Sequence, residues 1–266
     1  MQTFRAGLMV AAALSCAMAQ TPVLFDGGVV NGVTYATGQP VAPGSIASLF
    51  GSSLAASLAE ADSVPLSTTL ANVSVTVNGI PAPLFFVSPG QINIQIPWDA
   101  LPGGVNSGPA TIVVHAGQLS SNAGSVQIAP VAPAIFTVAS GGAGNAIAIN
   151  PDGSIAAPTG SIPGLAAHPA QVGDAIVILA TGLGAVTPSV PNGANSMDQL
   201  RTTVTTPNVF VGGQPAQLLF SGLSPSFTGV DQVNAVVPTV AGGPAVPLQL
   251  QVNQVMTSNQ VTIAIQ

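Results

Sequence analysis

Two histidines, eight carboxylates and one cysteine supply all the imidazole, carboxyl and thiol chemistry in this sequence. General acid–base catalysis needs a titratable group within hydrogen-bond reach of the reacting atom, and a serine nucleophile needs a base beside it. His115 lies in the strand-like run TIVVHAG, and His168 precedes Pro169 at the start of another apolar run. Neither has a flanking Asp or Cys, so a hydrolase would have to bring one of them to a carboxylate across a cleft. The sequence holds no G-x-S-x-G, no phosphate-binding glycine loop, no H-E-x-x-H and no cysteine cluster. It reads as non-catalytic, with no catalytic residue, no cofactor and no metal site.

The carboxylates are scattered along the chain. A calcium site would need several of their oxygens to converge from separate loops, and Asp152, Asp174, Asp198 and Asp231 are the set from which it would have to be built. Asp152, in Asn150-Pro151-Asp152-Gly153, reads instead as a turn former, because Pro presets φ and Gly accepts a positive φ. Asp174 stands where an internal repeat, described below, has Ser45; both side chains can close a local turn.

The polar residues retained in both halves are amides. Gln91 and Asn93 recur as Gln232 and Asn234. Residues two apart on a strand share a face, so each pair is expected to fix a neighbouring loop by side-chain hydrogen bonds. The sharper alternative is a binding role at the same place in both halves. Trp98, in the loop-like Pro97-Trp98-Asp99, is a candidate stacking platform for a sugar ring, set against packing in a core or hinge. The adjacent Phe85 and Phe86 should point to opposite faces of a strand, so one of them needs cover from elsewhere.

Strands must position these side chains. Thirty Gly and twenty-four Pro punctuate short runs rich in Val, Ile, Thr and Phe, the pattern of a sandwich or barrel. Val73, Val75 and Val77 alternate with Ser74, Thr76 and Asn78, which predicts one buried and one wet face. Residues 53–62 form the best helical candidate and are expected to give no more than one turn or a loop.

The order of motifs repeats. PVAPGSIASLFG, VSVTVNGIPAPLFF and QINIQIP in the first half answer to HPAQVGDAIVILATGLG, NVFVGGQPAQLLF and QVNAVVP in the second, and the closing segments SSNAGSVQIA and TSNQVTIAI also correspond. Two tandem immunoglobulin-like β-sandwich domains follow, residues 20–133 and 134–266, meeting at Pro130-Val131-Ala132-Pro133. The stretches GGVVNGVTYATGQPVAPGSIASLFGSSLA, NPDGSIAAP, VGDAIVILATGLG and VFVGGQPAQLLFSGLSPSF resemble an uncharacterised C-terminal domain family first defined in Solibacter and, more distantly, IPT/TIG immunoglobulin-like domains. That resemblance implies a secreted or surface-exposed protein and no assigned activity.

The N-terminal residues agree. Arg5, an apolar run from Ala6 to Ala13 and the small-x-small site Ala17-Met18-Ala19 make residues 1–19 a secretory signal peptide. Ala13-Leu14-Ser15-Cys16 is an alternative lipoprotein box, imperfect because Ala replaces Leu three residues before Cys16. Cys16 is the only cysteine, so the folded domains carry no disulfide and depend on their cores. No later stretch has the roughly 20 apolar residues of a membrane span.

Once the leader is removed, Arg201 is the only basic residue against eight carboxylates, and there is no lysine. Nucleic acid and anionic membrane surfaces, which demand clustered Lys and Arg, are thereby excluded as partners. The expected function is a non-catalytic secreted or cell-surface interaction or structural module whose partner is an extracellular protein or a polysaccharide. A carbohydrate-binding module using end loops near Trp98 is the alternative. Charged residues make up 4% of the chain, against about 25% in ordinary soluble proteins. Stability is therefore expected to vary little with salt, and little with pH above about 5. Melting curves in dilute buffer and in roughly 1 M NaCl should coincide; a steep salt-induced loss would refute the expectation.

Overall fold

The computed structural model describes residues 20–266 apart from 102, 104, 106, 140 and 258. The leader, with Arg5, Cys16 and the cleavage site after Ala19, lies outside the described residues. Every regular element described is a β-strand. The 53–62 segment gives no helical turn; Ala59–Glu60 is a short strand paired with Phe86 and Val87. A helix would place Leu54 and Leu58 on one face, yet Leu54 is fully buried and Leu58 is exposed.

In the first half, one sheet has the order Val23–Asn31, Ile46–Ser52, Gln91–Gln95, Leu84–Val87, Ala59–Glu60. The facing sheet centres on Val73–Val77 and Gly108–Ala116, with Gly124–Ile128 paired to the latter. The alternation anticipated for residues 73–77 holds: the three valines are buried and Ser74 and Thr76 are half-buried. Leu49, Leu84, Ile92, Ile94 and Ile112 fill the space between the layers with no residual exposure, each contributing about 1.5–3 kcal/mol of transfer free energy.

The second half encloses a separate core around Ile176, Ile178, Leu248, Leu250 and Ile263. Its layers are joined by one long strand, Gln214–Leu223. The beginning of this strand pairs with Asn208–Val211 and the remainder with Asp231–Val236, with an irregularity between Leu218 and Phe220. The first half splits the equivalent stretch into Ile80–Pro81 and Leu84–Val87. Pro83, which has no N–H to donate to a ladder, stands there in place of Gln217.

Registers recur between the halves. Ser48 lies opposite Asn93 as Val177 lies opposite Asn234. Asn122 brackets the backbone of Leu24, accepting from its N–H at 2.8 Å and donating to its carbonyl at 3.1 Å. Asn259 does the same to Ile135 at 3.1 and 2.7 Å. This is the role of the repeated Asn in both closing segments. Among the described residues, no ladder links strands up to Ile128 with those from Ala134 onward. The chain is two tandem immunoglobulin-like β-sandwiches related by an internal repeat.

The sandwiches meet in a polar seam. The N–H of Gly193 donates to the buried Gln95 Oε1 at 2.7 Å, and its carbonyl accepts from the N–H of Leu66 at 2.8 Å. Asn192 accepts from the Trp98 N–H at 2.8 Å and donates to Asp99 at 2.9 Å. Gly193 has φ +80°, and a Cβ there would sit 2.8 Å from the Leu66 carbonyl oxygen. Both features require glycine. Gly193→Ala should cost about 2 kcal/mol, with calorimetry resolving two unfolding transitions in place of one; an unchanged single transition would show that the seam does not couple the domains.

Candidate functional site

Each repeated amide pair lies on the outward face of a central strand. Gln91 and Asn93 are half-buried, and Gln91 Nε2 donates to Asn93 Oδ1 at 2.8 Å. Ser48 Oγ donates to the same oxygen at 3.0 Å. In the second half, Gln232 Nε2 donates to Asn234 Oδ1 at 2.9 Å. The amides thus bond to each other along the strand and not to a neighbouring loop. The ring of Phe86 belongs to the residue opposite Asn93, and Phe220 holds the same place opposite Asn234; both follow an irregularity in the paired strand.

A cleft opens over each pair. The first, about 830 Å³, is lined by Gln91, Asn93 and Phe86 with Tyr35, Glu60 and Asp62. The second, about 460 Å³, is lined by Gln232, Asn234 and Phe220 with Met197 and Leu200. Counting back from the Gln-x-Asn pair does not match the two phenylalanines, because the intervening loops differ in length. Aligning VNGIPAPLFF with VGGQPAQLLF does match them. Glu60 and Met197 carried no signal in sequence.

Trp98 lies where the sandwiches meet. Its ring occupies the space that a side chain on Gly44 would fill, 2.2 Å from an ideal Cβ there. Phe85 is directed toward the second sandwich, with its ring edge 3.5 Å from the equivalent point on Gly229. The bulge beside Phe86 leaves both phenylalanines half-buried.

His168, unlike the sequence expectation for either histidine, meets a carboxylate: its Nε2 lies 2.9 Å from Asp152 Oδ2. Asp152 also accepts from the hydroxyl of Ser154 at 2.7 Å and its N–H at 3.0 Å, completing the turn anticipated from Pro151 and Gly153. These contacts are not a catalytic relay. A nucleophile must donate to the histidine, whereas buried Ser154 donates to the aspartate. His168 Nδ1 faces the Pro169 carbonyl at 2.8 Å, so each ring nitrogen faces an acceptor. That carbonyl, then the carboxylate, raises the pKa of His168. Ser154, then His168, holds Asp152 well below the usual carboxylate range. Both partners act in the same direction, toward holding a proton on the ring.

His115 Nδ1 pairs with Ser120 Oγ at 2.9 Å. Asp174 closes a local turn on the N–H of Gln171 at 2.8 Å, as Ser45 does on Ala42. Asp198 grips the buried Arg201 through both terminal nitrogens. Among the described residues, no three His, Cys, Asp or Glu side chains converge as metal ligands.

No protein-family model matches the chain, and no curated protein matches it. Among solved structures, the I9-I11 tandem from titin is 10% identical over 93% of this chain and 67% of its own length, with a TM-score of 0.21. Surface layer protein SbsC, domains 4-9, is 14% identical over 92% of this chain and 31% of its own, with a TM-score of 0.24. The C-terminal domain of the AgI/II polypeptide BspA of Streptococcus agalactiae is 8% identical over 86% of this chain and 95% of its own, with a TM-score of 0.22. The chain therefore spans about a third of the SbsC fragment. The fold assignment rests on this chain's own sheet order and registers. Among the described residues, no helix is long and apolar enough to cross a membrane.

Asp231 runs counter to the expectation that stability varies little with pH above about 5. It is buried beside the turn after Ala175–Thr181 and accepts one hydrogen bond, from the Leu183 N–H at 2.9 Å. Burial pushes its pKa up to about 7, with that N–H pulling the other way. A carboxyl whose folded pKa is raised stabilises the fold fully below its unfolded value near 3.8, and that contribution is lost as pH rises through about 7. His168 has the same sign, its contribution present below 6.5 and lost as pH rises through its raised folded pKa. Through Asp231 alone, stability should accordingly fall between pH 5 and pH 8 by on the order of a few kcal/mol, seen as a lower melting temperature. Asp231→Asn should remove most of the decline; a decline of the same size in that variant would assign it elsewhere.

Proposed function

We propose that this chain is a non-catalytic secreted or cell-surface module that presents two rigidly coupled immunoglobulin-like sandwiches for interaction or structural support. In this reading residues 1–19 are a leader cleaved after Ala19, with lipid anchoring through Cys16 as the variant form, and residues 20–133 and 134–266 are the two domains. The observation that carries it is the wiring around His168. The imidazole–carboxylate pair ties a turn to the strand entrance, and the hydroxyl beside it, that of Ser154, donates to Asp152 and not to His168. The seam through Gly193, Gln95 and Asn192 supports rigid coupling, since it holds the sandwiches by several directed bonds at once.

The partner is an extracellular protein or polysaccharide. Nucleic acid is a poor fit, because Arg201 is buried and already paired. The resemblance to the Solibacter-type family agrees with an extracellular role. The surroundings of Trp98, on Gly44 and beside Asn192, favour a joint over a sugar platform. Purified protein comprising residues 20–266 should associate saturably with isolated cell envelope of the host and give no turnover of chromogenic ester, glycoside or peptide substrates. Turnover abolished by His168→Ala, or no envelope association, would overturn the reading.

A further inference from the structure

We propose that the two Gln-x-Asn clefts are paired binding sites for neutral oligosaccharides, one on each sandwich. The inference deepens the interaction-module reading and rests on it. The repeated amides of this chain divide into two kinds. Asn122 and Asn259 commit both ends of their side chains to the backbone of a neighbouring strand. Gln91 with Asn93 and Gln232 with Asn234 commit one donor and one acceptor to each other beneath an open cleft, Asn93 also accepting from Ser48. Among the described residues, the Gln carbonyl oxygen and the Asn amino group of each pair have no hydrogen-bond partner. The internal bond fixes the amides before any ligand arrives, which lowers the ordering cost of binding.

The chemistry of the ligand follows from position and charge. Gln91–Gln95 and Asp231–Val236 are central strands, each paired on both sides. A peptide cannot add to them as an extra strand, so recognition must come from side chains alone. Those side chains are uncharged amides that donate and accept, next to a phenyl ring presented by the neighbouring strand. Hydroxyl groups on an apolar-faced ring match that combination, because each hydroxyl both donates and accepts and the ring face packs on the phenyl group. Glu60 and Asp62 in the first cleft add acceptors and disfavour anionic ligands. Volumes of about 830 and 460 Å³ lie within the range of small-molecule sites.

The test is calorimetric titration of the residues 20–266 protein with neutral tetra- to hexasaccharides of β-1,4-glucan, β-1,4-xylan, β-1,4-mannan, β-1,3-glucan and α-1,4-glucan, beside a set of extended neutral peptides. At least one saccharide should bind with two sites per chain. Gln91→Ala with Asn93→Ala should remove one site and Gln232→Ala with Asn234→Ala the other, and the fourfold variant should bind at least tenfold more weakly with an unchanged melting temperature. If the amide variants unfold, Phe86→Leu and Phe220→Leu keep the apolar volume but remove the ring, and should weaken binding likewise. Silence across the saccharides, binding that survives the cleft variants, or cleft-dependent binding of the peptides alone would each overturn the proposal. Envelope association without saccharide binding would leave the interaction-module reading standing.

Discussion

The bond from the Gly193 N–H to Gln95 Oε1 is the contact on which the arrangement of the whole molecule turns. It is made by a buried amide, in a residue with almost no residual exposure, to a backbone group of the other sandwich. Such a bond contributes only about 1 kcal/mol net, but leaving either group buried and unpaired costs more than that. The seam is therefore specific without being a large store of energy. Leu66, Trp98 and Asp99 surround the same loop with further directed bonds, and Leu66 packs where a Gly193 side chain would sit.

A chain with so few charges does with amides what others do with ion pairs. Asn122 and Asn259 act as artificial strand neighbours, Gln95 and Asn192 join the sandwiches, and Asn150 reaches the His168 carbonyl at 3.0 Å. The arginine of the folded sandwiches, Arg201, is buried and held by Asp198 and the Ser189 carbonyl. Neutral hydrogen bonds are short-ranged and insensitive to salt, so the geometry they impose does not relax as ionic strength changes. The exception is Asp231, a carboxyl with too few donors to keep it ionised cheaply in a dry site. Burial raises its pKa, and with His168 it makes the stability of the folded chain fall as pH rises.

The same economy separates structural from available polar groups. Where the repeat preserves an amide and the fold spends both of its ends, as at Asn122 and Asn259, the residue is explained by stability. Where the fold spends half and leaves the rest facing a cleft beside a phenyl ring, stability alone does not account for the composition. The Asp152–His168 pair shows the converse: residue types that suggest catalysis are consumed by a turn, because the hydroxyl is attached to the wrong partner.

Strand alternation at residues 73–77, the tandem repeat, the turn at Asp152 and the equivalence of Asp174 with Ser45 were all legible in sequence, because each depends on neighbours within a few residues or on a pattern stated twice. The short strand Ala59–Glu60 was not, since two leucines four apart carry the same local signal whether or not a sheet edge is available to capture the segment. The meeting of His168 with Asp152, the enclosure of Asp231 and the joining of Trp98 to Asn192 were decided only by the tertiary structure. Those contacts depend on how loops of different length return to one place, and no local period or propensity encodes a distance between residues brought together by two separately folded cores.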